Sequence, residues 1–226
     1  MNNYQKDLDK IIEEVNERSL RPSLLLHACC GPCSSYVLEY LSKYFQITVF
    51  YYNPNIYPKE EYERRFAELC ALYERFPPAL EGKVQVIEEK YNPEDFYAAV
   101  GTREQSELAD EPERGERCRR CYEFRLRKAF DYATAHEFDY FCTTLSISPF
   151  KDAEKINEIG RALDGGRELE EEIKGERAFT KSPRWLPSDF KKKGGFVRSL
   201  EISEEYGMYR QQYCGCVYSI RKDTNN

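Results

Sequence analysis

Four short apolar runs, at residues 23–28, 46–52, 84–87 and 139–144, alternate along this chain with segments of helical periodicity. Their length and their β-branched and aromatic content, as in QITVFYY at 46–52, suit buried strands rather than helices. Between them, residues 6–18 put Leu8, Ile11, Ile12 and Val15 on one helical face, and the same periodicity predicts helices near 34–43, 58–76, 93–100, 117–136 and 151–163. Ser34 and Ser35 are the expected caps of the second helix, and Pro58 opens the third. Residues 102–115 read as a polar loop, 164–177 as a charged surface segment, 178–186 as a short extended stretch and 200–209 as a last helix. Strands alternating with helices predict an α/β fold: a mostly parallel sheet with helices on both faces, in a single domain spanning 1–226.

In such folds ligands collect at the carboxyl ends of the strands, around the point where strand order reverses. Three notable turns follow predicted strands directly: Cys29-Cys30, Asn53-Pro54-Asn55 and Thr143-Thr144. They are therefore expected on one edge of the sheet.

Seven of the nine cysteines fall in three clusters: Cys29-Cys30-Gly31-Pro32-Cys33, Cys118-Arg119-Arg120-Cys121 and Cys214-Gly215-Cys216. Adjacent cysteines at the end of a strand can converge on one object only where the strand breaks, and Gly31-Pro32 supplies that break. The helix that follows brings a positive dipole end, which favours thiolates. Cys118 and Cys121 have the spacing that puts both sulfurs on one helix face. Two pairs make four thiolates, the usual complement of a four-iron cluster, although structural zinc is an open alternative. Cys33 is a spare ligand, to a cluster or to a second metal beside it. Cys214 and Cys216 can close a strained small ring, which points to a redox-active pair. Cys70 and Cys142 stand alone in apolar surroundings and read as small buried hydrophobes.

With only two histidines, the chain is poorly equipped for hydrolytic zinc catalysis, and it has no GxGxxG, GxxxxGK[ST] or GxSxG. Its start, MNNYQKDLDKIIEEVNER, is charged where an export signal needs an apolar run, so a cytoplasmic protein without membrane association is expected. Reducing cytosol favours metal ligation or catalytic thiols over structural disulfides. The net charge of −6 argues against indiscriminate nucleic-acid coating, but six cations lie between Arg117 and Lys128 against one acid, Glu123. Lys191, Lys192, Lys193 and Arg198 form a second basic group.

Taken together these segments resemble the QueH-type epoxyqueuosine reductases. The resemblance is carried by His27-Ala28-Cys29-Cys30-Gly31-Pro32-Cys33-Ser34, Tyr51-Tyr52-Asn53-Pro54-Asn55-Ile56-Tyr57-Pro58, the stretch from Glu116 to Leu126, Thr143 to Lys151, Leu186 to Lys193, and Tyr209 to Cys216. It implies a Rossmann-like, nucleotide-binding-like core, with the C-terminal segment folding back over the cysteine site. It also implies an oxidoreductase that converts epoxyqueuosine in the tRNA anticodon to queuosine, with an external electron donor. The resemblance makes Cys29, Cys30, Cys118 and Cys121 the ligands of a [4Fe–4S] cluster, leaves Cys33 and a second mononuclear iron open, and makes Cys214 and Cys216 the redox-active disulfide. Asp189, Tyr52 and Tyr57 are candidates for protonation or positioning, the basic stretches 117–128 and 191–198 for tRNA phosphates, and Tyr213 for stacking on a base. Three rival functions stay open on the residues alone: a zinc-stabilised RNA-binding module, an ATP-dependent tRNA-modifying enzyme of similar core, and a thioredoxin-like oxidoreductase using only Cys214 and Cys216.

Overall fold

The structure, a computed structural model, describes residues 3–166 and 182–220. In chain order the elements are α1 (Tyr4–Glu17), β1 (Ser23–His27), α2 (Gly31–Leu41), β2 (Gln46–Tyr51), α3 (Lys59–Tyr73), α4 (Pro77–Glu81), β3 (Gln85–Glu88) and α5 (Pro93–Val100). They continue with α6 (Glu107–Asp110), α7 (Glu116–Ala135), β4 (Tyr140–Thr143), α8 (Ala153–Leu163), β5 (Arg184–Trp185) and α9 (Gly195–Glu205). The five strands form one sheet in the order β3-β2-β1-β4-β5, and every neighbouring pair is parallel. From β1 the chain builds outward through β2 to β3, then returns to the other side of β1 with β4. The switch point is therefore between β1 and β4, where His27 pairs with Thr143 at the carboxyl ends.

Both faces of the sheet are covered, as the alternation of strand side chains requires. Leu24 and Leu26 of β1 join Leu8, Val37 and Leu69 in a core beneath α1, α2 and α3. Leu25 joins Phe50, Phe141 and Leu126 in a second core beneath α7. These leucines are fully buried, and each stabilises the fold by about 1.5–3 kcal/mol. Cys142 is also fully buried, and Cys70 packs half-buried against the first core, as expected of small hydrophobes.

Several boundaries differ from expectation for physical reasons. Helix α2 begins at Gly31, so Ser34 and Ser35 are not its caps; their hydroxyls donate to the carbonyls of Gly31 and Pro32 inside the first turn. Pro32 is tolerated there because the first turn leaves its amide groups unpaired anyway. Helix α3 stops at Tyr73, since Pro77 and Pro78 start α4 as a separate turn. The loop at 102–115 contains the short α6. Helix α9 starts at Gly195 rather than 200. That glycine lies so close to Phe190 and Tyr36 that a Cβ would sit 2.1 Å from the Phe190 carbonyl, which lets α9 pack tightly on α2. The extended stretch contributes β5, and the expected surface segment falls largely at 167–177, outside the described residues. Among the described residues no helix is long and apolar enough to cross a membrane.

Candidate functional site

At the end of β1 the chain turns through Cys29 and Cys30 into α2, with Cys30 as an extended N-cap residue. Cys29 Sγ lies 3.9 Å from Cys30 Sγ, and the sulfurs of Cys29, Cys30 and Cys33 all lie within 4.8 Å of one another. Hydrogen bonds from Cys30 and Cys33 hold the Cys29 thiol well below its ordinary value against the cost of burial, with the Arg125 charge assisting. The same bonds push Cys30 up to about 12 and Cys33 well above its usual range. Three sulfurs held this close, each influencing the ionisation of the others, are a donor set suited to a soft metal.

The next turns along this edge support the first. Asn53, after β2, donates its amide Nδ2 to the Ala28 carbonyl at 2.9 Å. His27 is fully buried, with Nε2 3.1 Å from the Tyr52 carbonyl and Nδ1 2.8 Å from the Thr143 hydroxyl. A carbonyl can only accept, so Nε2 carries the proton and Thr143 donates to Nδ1. Burial, with the Arg125 charge, lowers His27 to about 4 and keeps it neutral. It pins the ends of three strands together and is no ligand here.

Helix α7 delivers Cys118 and Cys121, one turn apart and both buried. Cys118 packs in the same buried cluster as Cys29 and Cys30, and Cys121 in a neighbouring one with Cys216. Burial pushes the Cys121 thiol up, while Arg125 opposes it. The two pairs lie on the same side of the molecule, although Cys118 and Cys121 stand outside the tight trio. Arg125 is the common neighbour: its charge acts on Cys29, Cys121 and Cys214. Its Nε donates to the Cys121 carbonyl and its Nη1 to Asn53 Oδ1 at 3.4 Å.

The C-terminal segment folds back over these residues. Gln211 Nε2 donates to Cys30 Sγ at 3.0 Å. Arg65, buried on α3 and paired with Glu61 at 2.7 Å, donates to the carbonyls of Cys214 and Tyr213. The Tyr57 amide donates to the Gly215 carbonyl at 2.8 Å. Gly215 has φ +120°, and a Cβ there would stand 3.0 Å from both Arg65 and Ile56, so glycine is required between the two cysteines. Cys214 and Cys216 are free thiols in this structure. A hydrogen bond from Cys216 holds Cys214 well below its ordinary value and raises Cys216 in turn. The Lys151 ammonium rests directly against Cys214 Sγ.

A cavity of about 420 Å³ opens among these parts, with Cys29, Cys33, Cys214, Lys151, Arg117 and Phe150 in its wall. Several buried polar atoms have no hydrogen-bond partner: both amide atoms of Asn55, Tyr122 Oη, Arg125 Nη2 and Gln211 Oε1. Tyr122 and Arg125 carry this unmet capacity beside the cysteines, where a polar or anionic group fits.

Other expected residues lie elsewhere. Asp189 pairs with Lys191 at 2.8 Å and is not in the cavity wall. Tyr52 is buried against Phe124, and Tyr57 is half-exposed beside the C-terminal segment, where its carbonyl accepts from the Tyr213 hydroxyl. The basic stretches are mostly engaged internally. Arg119 and Arg120 pair with Glu116, Arg127 with Glu123, Lys128 with Glu89, Lys193 with Asp9 and Arg198 with Glu39. Sequence reasoning assigned no role to Lys151, Arg65 or Gln211. The signal for Lys151 was its place just after the β4 turn, on the edge where ligands collect.

Comparison with known proteins adds to this geometry. The profile of the family described as epoxyqueuosine reductase QueH matches residues 24–222. The chain is 40% identical over 219 residues to the epoxyqueuosine reductase QueH of Streptococcus pyogenes serotype M1, covering 97% of this chain and 78% of that protein. Identity to the protein of the same name from Staphylococcus aureus strain Mu50 is 39% over 217 residues, covering 96% and 83%. The one from Thermotoga maritima is 31% identical over 204 residues, covering 88% and 90%.

Proposed function

The chain belongs to the QueH family of epoxyqueuosine reductases, and from that premise we propose that it reduces epoxyqueuosine in the tRNA anticodon to queuosine in the cytoplasm. The observation that carries the reading is the gathering of cysteines at the sheet's switch point: Cys29, Cys33 and Cys214 in one cavity wall, with Cys118 packed behind Cys29 and Cys30, and Cys121 beside Cys216. Turning an epoxide into an alkene consumes two electrons and two protons and releases water, so the site needs an electron source, a proton source and a place to hold the ring.

Cys29, Cys30, Cys118 and Cys121 would hold a [4Fe–4S] cluster, and Cys33 would be a spare ligand to that cluster or to a second iron beside it. The close sulfurs of Cys29, Cys30 and Cys33, the buried Cys118 in the same cluster and the unpartnered Nη2 of Arg125 fit such an anionic group. When bound, it would supply electrons one at a time. The protein's own residues do the rest. Arg125 and Gln211 orient the sulfurs, Lys151 holds a proton at the cavity wall, and the apolar side chains Phe150 and Leu145 line the same space. Cys214 and Cys216 would be the redox-active pair, reset by an external donor.

The test is anaerobic purification followed by metal analysis, an absorbance spectrum and a tRNA digest. The expected result is iron with sulfide and conversion of epoxyqueuosine to the product lacking one oxygen. Cys118→Ser should lose both iron and activity. A Cys118→Ser protein with unchanged iron counts against the ligand assignment, and a colourless zinc-loaded wild type without activity overturns the reading as a whole.

A further inference from the structure

Lys151 lies at the end of the tight turn after Pro149, its amide donating to the Ser148 carbonyl, just before Asp152 caps α8. Its side chain turns inward and is only 8% exposed. Among the described residues no carboxylate pairs with it; the ammonium meets Cys214 Sγ and stands 6.0 Å above the Tyr122 ring. A desolvated ammonium is costly unless an anion compensates it, and the sulfur is the group it touches.

The two cysteines differ in their surroundings. Cys214 is in the cavity wall, whereas Cys216 is buried away from it with Phe96, Val100 and Cys121. We propose that Lys151 is a positioning residue that gives this pair a fixed polarity, holding Cys214 as the cavity-facing thiolate and leaving Cys216 as the buried thiol that joins it. This rests on the reading of the pair as a redox couple.

The groups facing Cys214 are consistent with that division. From α7 come Arg125, Tyr122 and Cys121, and from its own segment Cys216. Arg65 of α3 spends its guanidinium on Glu61 and on backbone carbonyls, not on the sulfur. Lys151 is thus the cation in direct contact. Burial is the largest single influence and opposes its charge, but Cys214 and then Tyr122 together raise it above its ordinary value.

The step balances. The Cys214 thiolate and the Cys216 thiol join as a disulfide, releasing two electrons, one proton from Cys216 and one from the Lys151 ammonium. Opening the epoxide to an alkene consumes those two electrons and two protons, and the oxygen leaves as water. Lys151 therefore holds its share of the protons at the cavity wall.

Iron-loaded, anaerobically reduced protein is treated with limiting iodoacetamide across a pH series, and the labelled peptide is sequenced by mass spectrometry. In wild type at pH 7, Cys214 is expected to label about tenfold or more faster than Cys216. In Lys151→Met its labelling should slow by about tenfold and its pH midpoint move up, while Lys151→Arg stays within about threefold of wild type. Faster labelling of Cys216 in wild type overturns the proposal without any variant, and so does an unchanged pH profile in Lys151→Met. Mild oxidation with intact-mass readout tests the underlying couple separately. Failure to form a 214–216 bond removes the redox reading, whereas the labelling order judges Lys151 alone.

Discussion

The two sides of α7 treat the same residue type in opposite ways. Outward, Arg119 pairs with Glu116 at 2.7 Å and Glu123 at 2.9 Å, Arg120 with Glu116 at 3.0 Å and Arg127 with Glu123 at 3.5 Å. These charges close on one another within the helix. Inward, Arg117 and Arg125 are each 2% exposed, and among the described residues neither pairs with a carboxylate. Arg117 donates to the carbonyls of Leu108 and Ala109, and Arg125 to the Cys121 carbonyl and Asn53, each leaving a nitrogen without a partner. A buried guanidinium held this way needs an anion nearby; Arg117 has the Tyr218 ring beside it, and for Arg125 the groups in reach are the sulfurs of Cys121, Cys214 and Cys29. The outer face is therefore a finished surface, while the inner face is built toward sulfur.

Arg125→Met puts the greatest stress on that contrast. Removing one partner of a buried charge assembly costs about 3–5 kcal/mol, so activity should fall by about 100-fold or more and most of the iron should be lost on desalting. Iron per folded chain and circular dichroism check the result. A folded variant with full iron content and near-normal turnover would show that the inner face is not organised around this charge. Leu126→Ala separates packing from chemistry on the same side of the helix. Leu126 is fully buried beside Cys118, Tyr122 and Phe141. Its truncation should lower unfolding free energy by about 2–5 kcal/mol in a urea titration, yet leave iron per folded chain unchanged. Loss of iron without loss of stability would blur the distinction between core and site.

Much of this contrast was within reach of the amino-acid order, and the reason the rest was not is separation along the chain. Apolar runs and helical periods place β1, β2, β4 and α7 to within a residue or two, because local pattern controls them. The strand-end rule brings Cys29, Asn53 and Thr143 to one edge without any contact information. The spacing of Glu116, Arg119 and Glu123 also announces its own ion pairs, although the run reads equally as a phosphate-binding face. By contrast Lys151 meets a cysteine 63 residues away and Arg65 one 149 away, while Lys193 finds Asp9 across 184. No periodicity encodes such partners. Strand β5, with two residues, is too short to carry an alternation, and the start of α9 depends on how closely Gly195 approaches Tyr36.

The smallest effect belongs to the outer face, at Glu116→Gln. Hydrogen bonds from Arg119, then Arg120, hold the Glu116 carboxyl down at about 2 against a slight burial cost. Its folded value lies below its unfolded one, so its contribution is complete above about 4.5 and disappears as pH falls through about 2. With 37% of the side chain exposed, water and salt screen the pairs, and the contribution at pH 7 is below about 1 kcal/mol, including the favourable dipole of the first helical turn. Urea midpoints should therefore differ slightly between wild type and variant at pH 7 and converge near pH 2, with iron content and thiol labelling the same in both. A gap that persists at low pH rules out the charge as its source. Loss of iron in this variant would mean that the outer ladder holds Cys118 and Cys121 in place after all, and the two faces of α7 would then have to be treated as one unit.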